Sequence, residues 1–233
     1  MAGFPLRLVP TKVEDEDEVE DEDEDISLGI GAARVRVGDH AALLHWTADE
    51  RLRGLVAVVT EGLRAGDWIA CVVNDLPIPT IERSLAAAGV DAAAWAAEGR
   101  LALVPAADVL FRGGTFDPTT ALAGLRALAA KGAGRRTRLL VDMTYLLADV
   151  PGIERGLELE ARVGDALQGL PVVRICAFDA GREVSDRLAD VLRMHPTVIG
   201  EGGSLRNPYY RPWSELRAVR KAAPLARPAG GAK

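Results

Sequence analysis

Six short, continuously apolar runs, each separated from the next by amphipathic sequence, constrain this chain more than any other feature. HAALLHW (40–46), WIACVVN (68–74), RLALV (100–104), TRLLVDM (137–143), VVRICAF (172–178) and TVI (197–199) read as buried strands, rich in β-branched and other apolar residues. Between them, apolar residues recur at helical spacing over about 49–64, 80–88, 91–98, 118–131, 153–168 and 182–194. Gly66, Gly89, Gly132 and Gly169 stand where the first, second, fourth and fifth of these helices should stop. Strands apolar on both faces and alternating with helices predict an α/β domain of three layers, with a mostly parallel sheet of about six strands covered on both sides. Ligands of such sheets bind at the carboxyl ends of the strands. That rule marks out His45 and Trp46 after the first strand, Asn74 and Asp75 after the second, Asp142 to Tyr145 after the fourth, and Phe178 and Asp179 after the fifth.

The charge is unevenly placed. Of 34 acidic side chains, 11 fall between Glu14 and Asp25, offset in the first 25 residues only by Arg7 and Lys12. Residues 214–233 hold five basic groups against Glu215, and residues 26–213 are nearly balanced, with 21 basic and 22 acidic groups. The expected organisation is an acidic, solvated arm over 1–25, a neutral body over 26–213 and a basic tail over 214–233. A neutral body lacks the basic stripe of a nucleic-acid surface. No apolar run approaches the roughly 18 residues that span a bilayer, and residues 1–10 lack the apolar core of a signal peptide. Cys71 and Cys176 lie far apart inside apolar runs, as two buried thiols of a reduced, cytoplasmic compartment would.

Catalytic patterns are missing. Asp142 at the end of LLVD invites comparison with RecA-like ATPases, whose acidic residue after an apolar strand helps hold Mg²⁺. The phosphate loop of those enzymes should follow the first strand, where this chain reads WTADER, without glycine or lysine, and Asp49 and Glu50 there would repel a triphosphate. His40 and His45, five apart on a strand, point to opposite faces, and His195 completes no HxxxH or HExxH pattern, so no metal site is expected. No serine has a GxSxG context, and no catalytic residue or cofactor is assigned. Two aromatic, flexible segments stand out. Residues 206–213 (RNPYYRPW) carry Tyr209 and Tyr210 and read as a covering segment or partner surface, and 111–118 (FRGGTFDP) reads as a loop before a helix.

Taken in order, DH (39–40), EGLRAGDWIACVVND (61–75), LAAAGVDAAAWAAEGRLALV (85–104), FRGGTFDP (111–118), LRMHPTVIGEGG (192–203) and NPYYRPW (207–213) resemble the MEDS domain, the sensory domain of methanogen, methylotroph and dichloromethane-responsive regulators. The resemblance implies a degenerate RecA/KaiC-like fold without a phosphate loop and a role in sensing small, often hydrocarbon-like or C1-related molecules. Its members are usually fused to a DNA-binding or kinase-type output domain, and no such segment is visible in this chain.

The expected function is that of a stand-alone, non-enzymatic sensor. It would bind an unidentified small molecule through His45, Trp46, Asn74, Asp142 and Tyr145, covered by Tyr209 and Tyr210. It would signal to a regulatory partner in transcriptional control, such as a sigma or anti-sigma factor or a kinase. Two alternatives are a ligand-independent module of anti-sigma or kinase partner switching, and a residual nucleotide-binding RecA-like protein. The oppositely charged arms would also allow a homo-oligomer.

Overall fold

The computed structural model describes residues 25–132, 134–182, 185–211 and 215. The acidic arm short of Asp25, and the basic tail apart from Glu215, lie outside the described residues.

All six apolar runs form strands of one sheet: β3 (His40–His45), β4 (Trp68–Val73), β5 (Leu101–Pro105), β6 (Thr137–Asp142), β7 (Val172–Asp179) and β8 (Thr197–Gly200). Their order is β5-β4-β6-β7-β3-β8, all parallel, and β9 (Gly203–Arg206) closes the edge antiparallel to β8. A separate two-stranded ribbon, β1 (Ile26–Ser27) and β2 (Arg34–Val35), precedes the sheet. The apolar pattern does not predict β1, β2 or β9, because two- to four-residue strands carry too few side chains to show a period.

One face of the sheet is covered by α1 (Ala48–Arg64) and α2 (Ile78–Ala87), with α3 (Ala92–Ala97) beyond them. Their apolar sides pack Leu55, Val58, Ile81 and Leu85 on Leu43, Ile69, Cys71 and Ile175. The opposite face carries α4 (Ala106–Val109), α5 (Pro118–Ala130), α6 (Gly156–Ala166) and the 3₁₀ turn Met143–Leu147. There Leu125, Leu159 and Val163 meet Val72, Leu139, Val141 and Phe178. α7 (Ser185–Met194) leads into β8. Among the described residues no helix is long and apolar enough to cross a membrane.

Two local devices shape the ends of the sheet. The turn from β3 to α1 is only Trp46 and Thr47. Thr47 Oγ1 accepts from the Glu50 amide at 3.1 Å, and the Trp46 amide donates to Glu50 Oε2 at 2.7 Å. This helix start is capped by its own side chains, with a carboxylate where a phosphate loop would present amides. At the other edge, Ser204 Oγ accepts from the Arg34 amide at 2.9 Å and donates to the Arg34 carbonyl at 2.8 Å, tying the ribbon to β9. The ribbon turn also lies against the β8–β9 turn. Gly31, at φ +47°, leaves no space for a Cβ, which would sit 2.6 Å from the Glu201 carbonyl oxygen.

Candidate functional site

The carboxyl edge of the sheet holds two neighbouring arrangements. The first is a closed polar knot. Arg51, buried on α1, donates through Nη1 to Asp142 Oδ1 at 3.1 Å, to Asp142 Oδ2 at 2.9 Å and to Thr144 Oγ1 at 3.2 Å. Asp142 also accepts from the Thr144 amide, the Thr144 hydroxyl and the Asn74 amide, and Asn74 Nδ2 donates to Thr144 Oγ1 at 3.1 Å. Burial pushes the Asp142 carboxyl above its ordinary value, and the Arg51 charge and these donors oppose that shift. Asn74 and Asp142 thus meet, as strand-end geometry predicts, but their polar groups are spent on Arg51 and Thr144. The sequence offered no sign of Arg51, which looks like any surface arginine of an amphipathic helix.

The second is a cleft of about 570 Å³ between the end of β3, α1, the β1–β2 ribbon and the β8–β9 turn. Its walls include Ile30, Leu43, His45, Trp46, Arg53 and Gly54. His45 is only 2 % exposed, and beyond a contact with the Thr47 backbone its ring has no hydrogen-bond partner. Burial, helped by the positive charge of Arg51, lowers its pKa, so the imidazole is neutral with one donor and one acceptor to satisfy. Trp46 is 63 % exposed. A wall that combines Ile30, Leu43 and the exposed Trp46 indole with the buried His45 ring and the charged Glu50, Arg53 and Glu201 suits a small molecule with an apolar body and a polar group.

The remaining sequence-derived candidates lie elsewhere. Tyr145 is fully buried on the α5–α6 face, stacked on Phe116 at 5.8 Å between ring centroids and edge-on to Phe111 at the same distance. It belongs to the core, because the 3₁₀ turn after Asp142 rolls the chain under the sheet. Tyr209 and Tyr210 follow β9, whose reversed direction carries them to the amino edge of the parallel strands. There the Asn207 amide donates to the Pro196 carbonyl at 2.8 Å and the Arg211 amide to the Arg193 carbonyl at 2.7 Å. They therefore do not cover the carboxyl-edge cleft. Trp213 lies outside the described residues.

Sequence reasoning missed one cluster entirely. His40, Glu160, Cys176 and His195 are all buried and bring one donor atom each within 4.8 Å of one another. His40 Nε2 is 3.2 Å from Cys176 Sγ and 3.3 Å from Glu160 Oε2, and His195 Nε2 is 3.4 Å from the same carboxylate oxygen. Cys71, by contrast, lies within the α1–α2 core, and burial raises its thiol to about 12.

A parallel sheet in this strand order, with a self-capped turn in place of the phosphate loop, defines a KaiC-like fold. It is similar to a KaiC-like protein of the hyperthermophilic archaeon Pyrococcus horikoshii, at 15 % identity and a TM-score of 0.58, covering 75 % of this chain and 79 % of that one. It is also similar to an uncharacterised protein of the same organism solved in complex with an unknown peptide, at 18 % identity and a TM-score of 0.56, covering 73 % and 82 %. No curated protein matches the chain. The sequence profile of MEDS, the methanogen/methylotroph, DcmR sensory domain, matches residues 39–196, about two thirds of the chain, and the protein belongs to that family.

Proposed function

We propose that the protein is a non-enzymatic sensor that binds a small, hydrocarbon-like molecule in the cleft at the end of β3 and passes the bound state to a regulatory protein of transcriptional control. The carrying observation is His45, a buried imidazole on the cleft wall with a ring nitrogen that no protein group satisfies. An unpaired buried polar group costs about 1–3 kcal/mol, and a ligand that pairs with it recovers that cost on binding. Leu43, Ile30 and the Trp46 indole supply apolar contact. Family membership supports the sensory role. Asn74 and Asp142 act here by holding Arg51 and α1 in place.

The output surface in this reading is the β9 edge with the segment after it, where Leu205 and Tyr209 are both exposed. A regulator such as a sigma or anti-sigma factor or a kinase would dock there, and a second copy of the chain is an alternative occupant. Ligand-independent partner switching is a second reading, favoured by those same exposed apolar side chains. Nucleotide binding finds no support at the Trp46–Thr47 turn, which Glu50 closes.

Thermal denaturation across a panel of C1 compounds, short alcohols, halogenated alkanes and nucleotides tests the reading. A true ligand at 100 times its Kd stabilises by about 2.7 kcal/mol. It should also quench Trp46 fluorescence, and Trp46→Phe should lose the quench. Absence of any shift across the panel rejects the sensor reading and leaves the partner-switching one.

A further inference from the structure

We propose that His40, Glu160, Cys176 and His195 form a closed, four-ligand site for a borderline-soft divalent cation, zinc being the best fit. The cluster lies away from the cleft, under α6 towards the amino half of the sheet, and the inference does not depend on the ligand reading.

The donor geometry carries the argument. Tetrahedral zinc with Zn–N and Zn–O near 2.0–2.1 Å and Zn–S near 2.3 Å sets donor-to-donor edges of about 3.3–3.6 Å. Three of the six donor separations, His40 to Cys176, His40 to Glu160 and His195 to Glu160, are 3.2, 3.3 and 3.4 Å, and the other three lie within 4.8 Å. Each donor comes from a separate element: His40 from the start of β3, Cys176 from β7, Glu160 from α6, and His195 from the junction of α7 and β8. Both histidines present Nε2 towards one carboxylate oxygen.

The competing occupant of these contacts is a hydrogen-bonded polar cluster in which the imidazoles donate to Glu160, and a cobalt spectrum distinguishes the two. Glu160 is 4 % exposed, and the Nε2 atoms of His40 and His195 both stand within 3.4 Å of its Oε2. Among the described residues Glu160 has no arginine or lysine within ion-pair distance. A carboxylate so placed is costly unless a cation balances it. Two imidazoles, a thiolate and a carboxylate are the donor types that suit zinc and reject magnesium or calcium.

Four protein ligands leave no open position for water or substrate, so the ion would tie elements together and supply no Lewis acid. It would pin α6 and the α7–β8 junction to β3 and β7. The Asn207 side chain donates to the His195 carbonyl at 2.9 Å and its Oδ1 accepts from the Tyr209 amide at 3.0 Å, so the same ion would order the exposed tyrosine segment.

The test uses the full chain. Elemental analysis of protein purified without added metal or chelator should find about one zinc per chain. After chelator stripping, Co²⁺ should give tetrahedral d–d bands and a thiolate charge-transfer band. Cys176→Ser should abolish the charge-transfer band, and Cys71→Ser should leave it intact. His195→Gln should weaken Zn²⁺ binding by more than about 100-fold, beyond the 10- to 100-fold typical of outer-shell substitutions. Circular dichroism checks that the variants fold, and the wild-type cobalt spectrum needs no variant. Protein that is isolated metal-free and shows neither a cobalt spectrum nor a Zn²⁺-dependent rise in Tm overturns the site. So does a thiolate-to-cobalt charge-transfer band that survives Cys176→Ser in a folded variant.

Discussion

Arg51 Nη1 reaches both carboxylate oxygens of Asp142, at 3.1 and 2.9 Å, across the gap between the first helix and the end of β6. Where a RecA-like ATPase would keep its acidic residue for a metal–nucleotide complex, this chain neutralises it from within. The pair holds α1 against the sheet.

Breaking that pair should be expensive. Arg51→Leu leaves the Asp142 carboxylate buried without a cation, a change that costs about 3–5 kcal/mol. Urea denaturation of Arg51→Leu, Asp142→Asn and the double variant should give a coupling energy above about 1 kcal/mol. Additive losses would mean that the two side chains do not stabilise the fold as a unit.

A second buried pair controls the ribbon. Asp67 accepts from Arg138 Nε at 2.6 Å and Arg136 Nε at 2.7 Å, and Arg138 Nη1 donates to the Ser27 carbonyl at 2.7 Å. Asp67→Asn should destabilise the protein by a few kcal/mol and speed amide exchange over residues 26–35. If exchange there is unchanged, Arg138 does not anchor the ribbon, and that wall of the cleft is held by Ser204 and by the ribbon's buried apolar side chains.

Two glycines of α1 should respond oppositely to alanine. A Cβ at Gly62 would stand 2.3 Å from Ile69 Cδ1 and 2.8 Å from Arg138 Cδ, so Gly62→Ala should cost about 1–3 kcal/mol despite its better helix propensity. At Gly54 the nearest atom is the flexible Leu43 Cδ2 at 3.1 Å, and the position borders the cleft. Gly54→Ala should be neutral or stabilising by up to about 1 kcal/mol while weakening any cleft ligand. Equal stability changes at both sites would refute the packing described for α1.

His45 gives a pH signature. Its folded-state pKa is lowered, by burial first and by Arg51 second, with Asp179 and Glu50 opposing. Below pH 6.5 the unfolded chain takes up the proton more readily, so stability from this group is complete above that pH and falls as the medium is acidified towards the folded-state value. His45→Gln should flatten this part of the stability profile. An unchanged slope would show that the imidazole is not held neutral.

Much of the fold can be read in one dimension. The six parallel strands and six of the seven helices follow from apolar runs, 3.6-residue periodicity and glycine stops, because those signals lie within a single element. The short α4 and strands β1, β2 and β9 do not, and β9 matters most, since its reversal sends Tyr209 and Tyr210 to the edge opposite the cleft. Strand-end reasoning does bring His45 and Trp46 to the cleft and Asn74 to Asp142. It does not reveal that Arg51 satisfies Asp142, because a helix position alone does not say which strand end it faces.

The cluster of His40, Glu160, Cys176 and His195 shows the same division most clearly. Local sequence settled that each segment is a strand, a helix or a junction, that His40 and His45 face opposite ways, and that Cys176 is buried. Whether four donors spread from residue 40 to residue 195 would meet depended on strand order, with β3 placed beside β7 and β8, and on α6 crossing that face. Backbone hydrogen bonding and apolar periodicity act between near neighbours and leave a trace in the sequence. The convergence of side chains across a sheet is set by the packing of whole elements, and no spacing pattern records it.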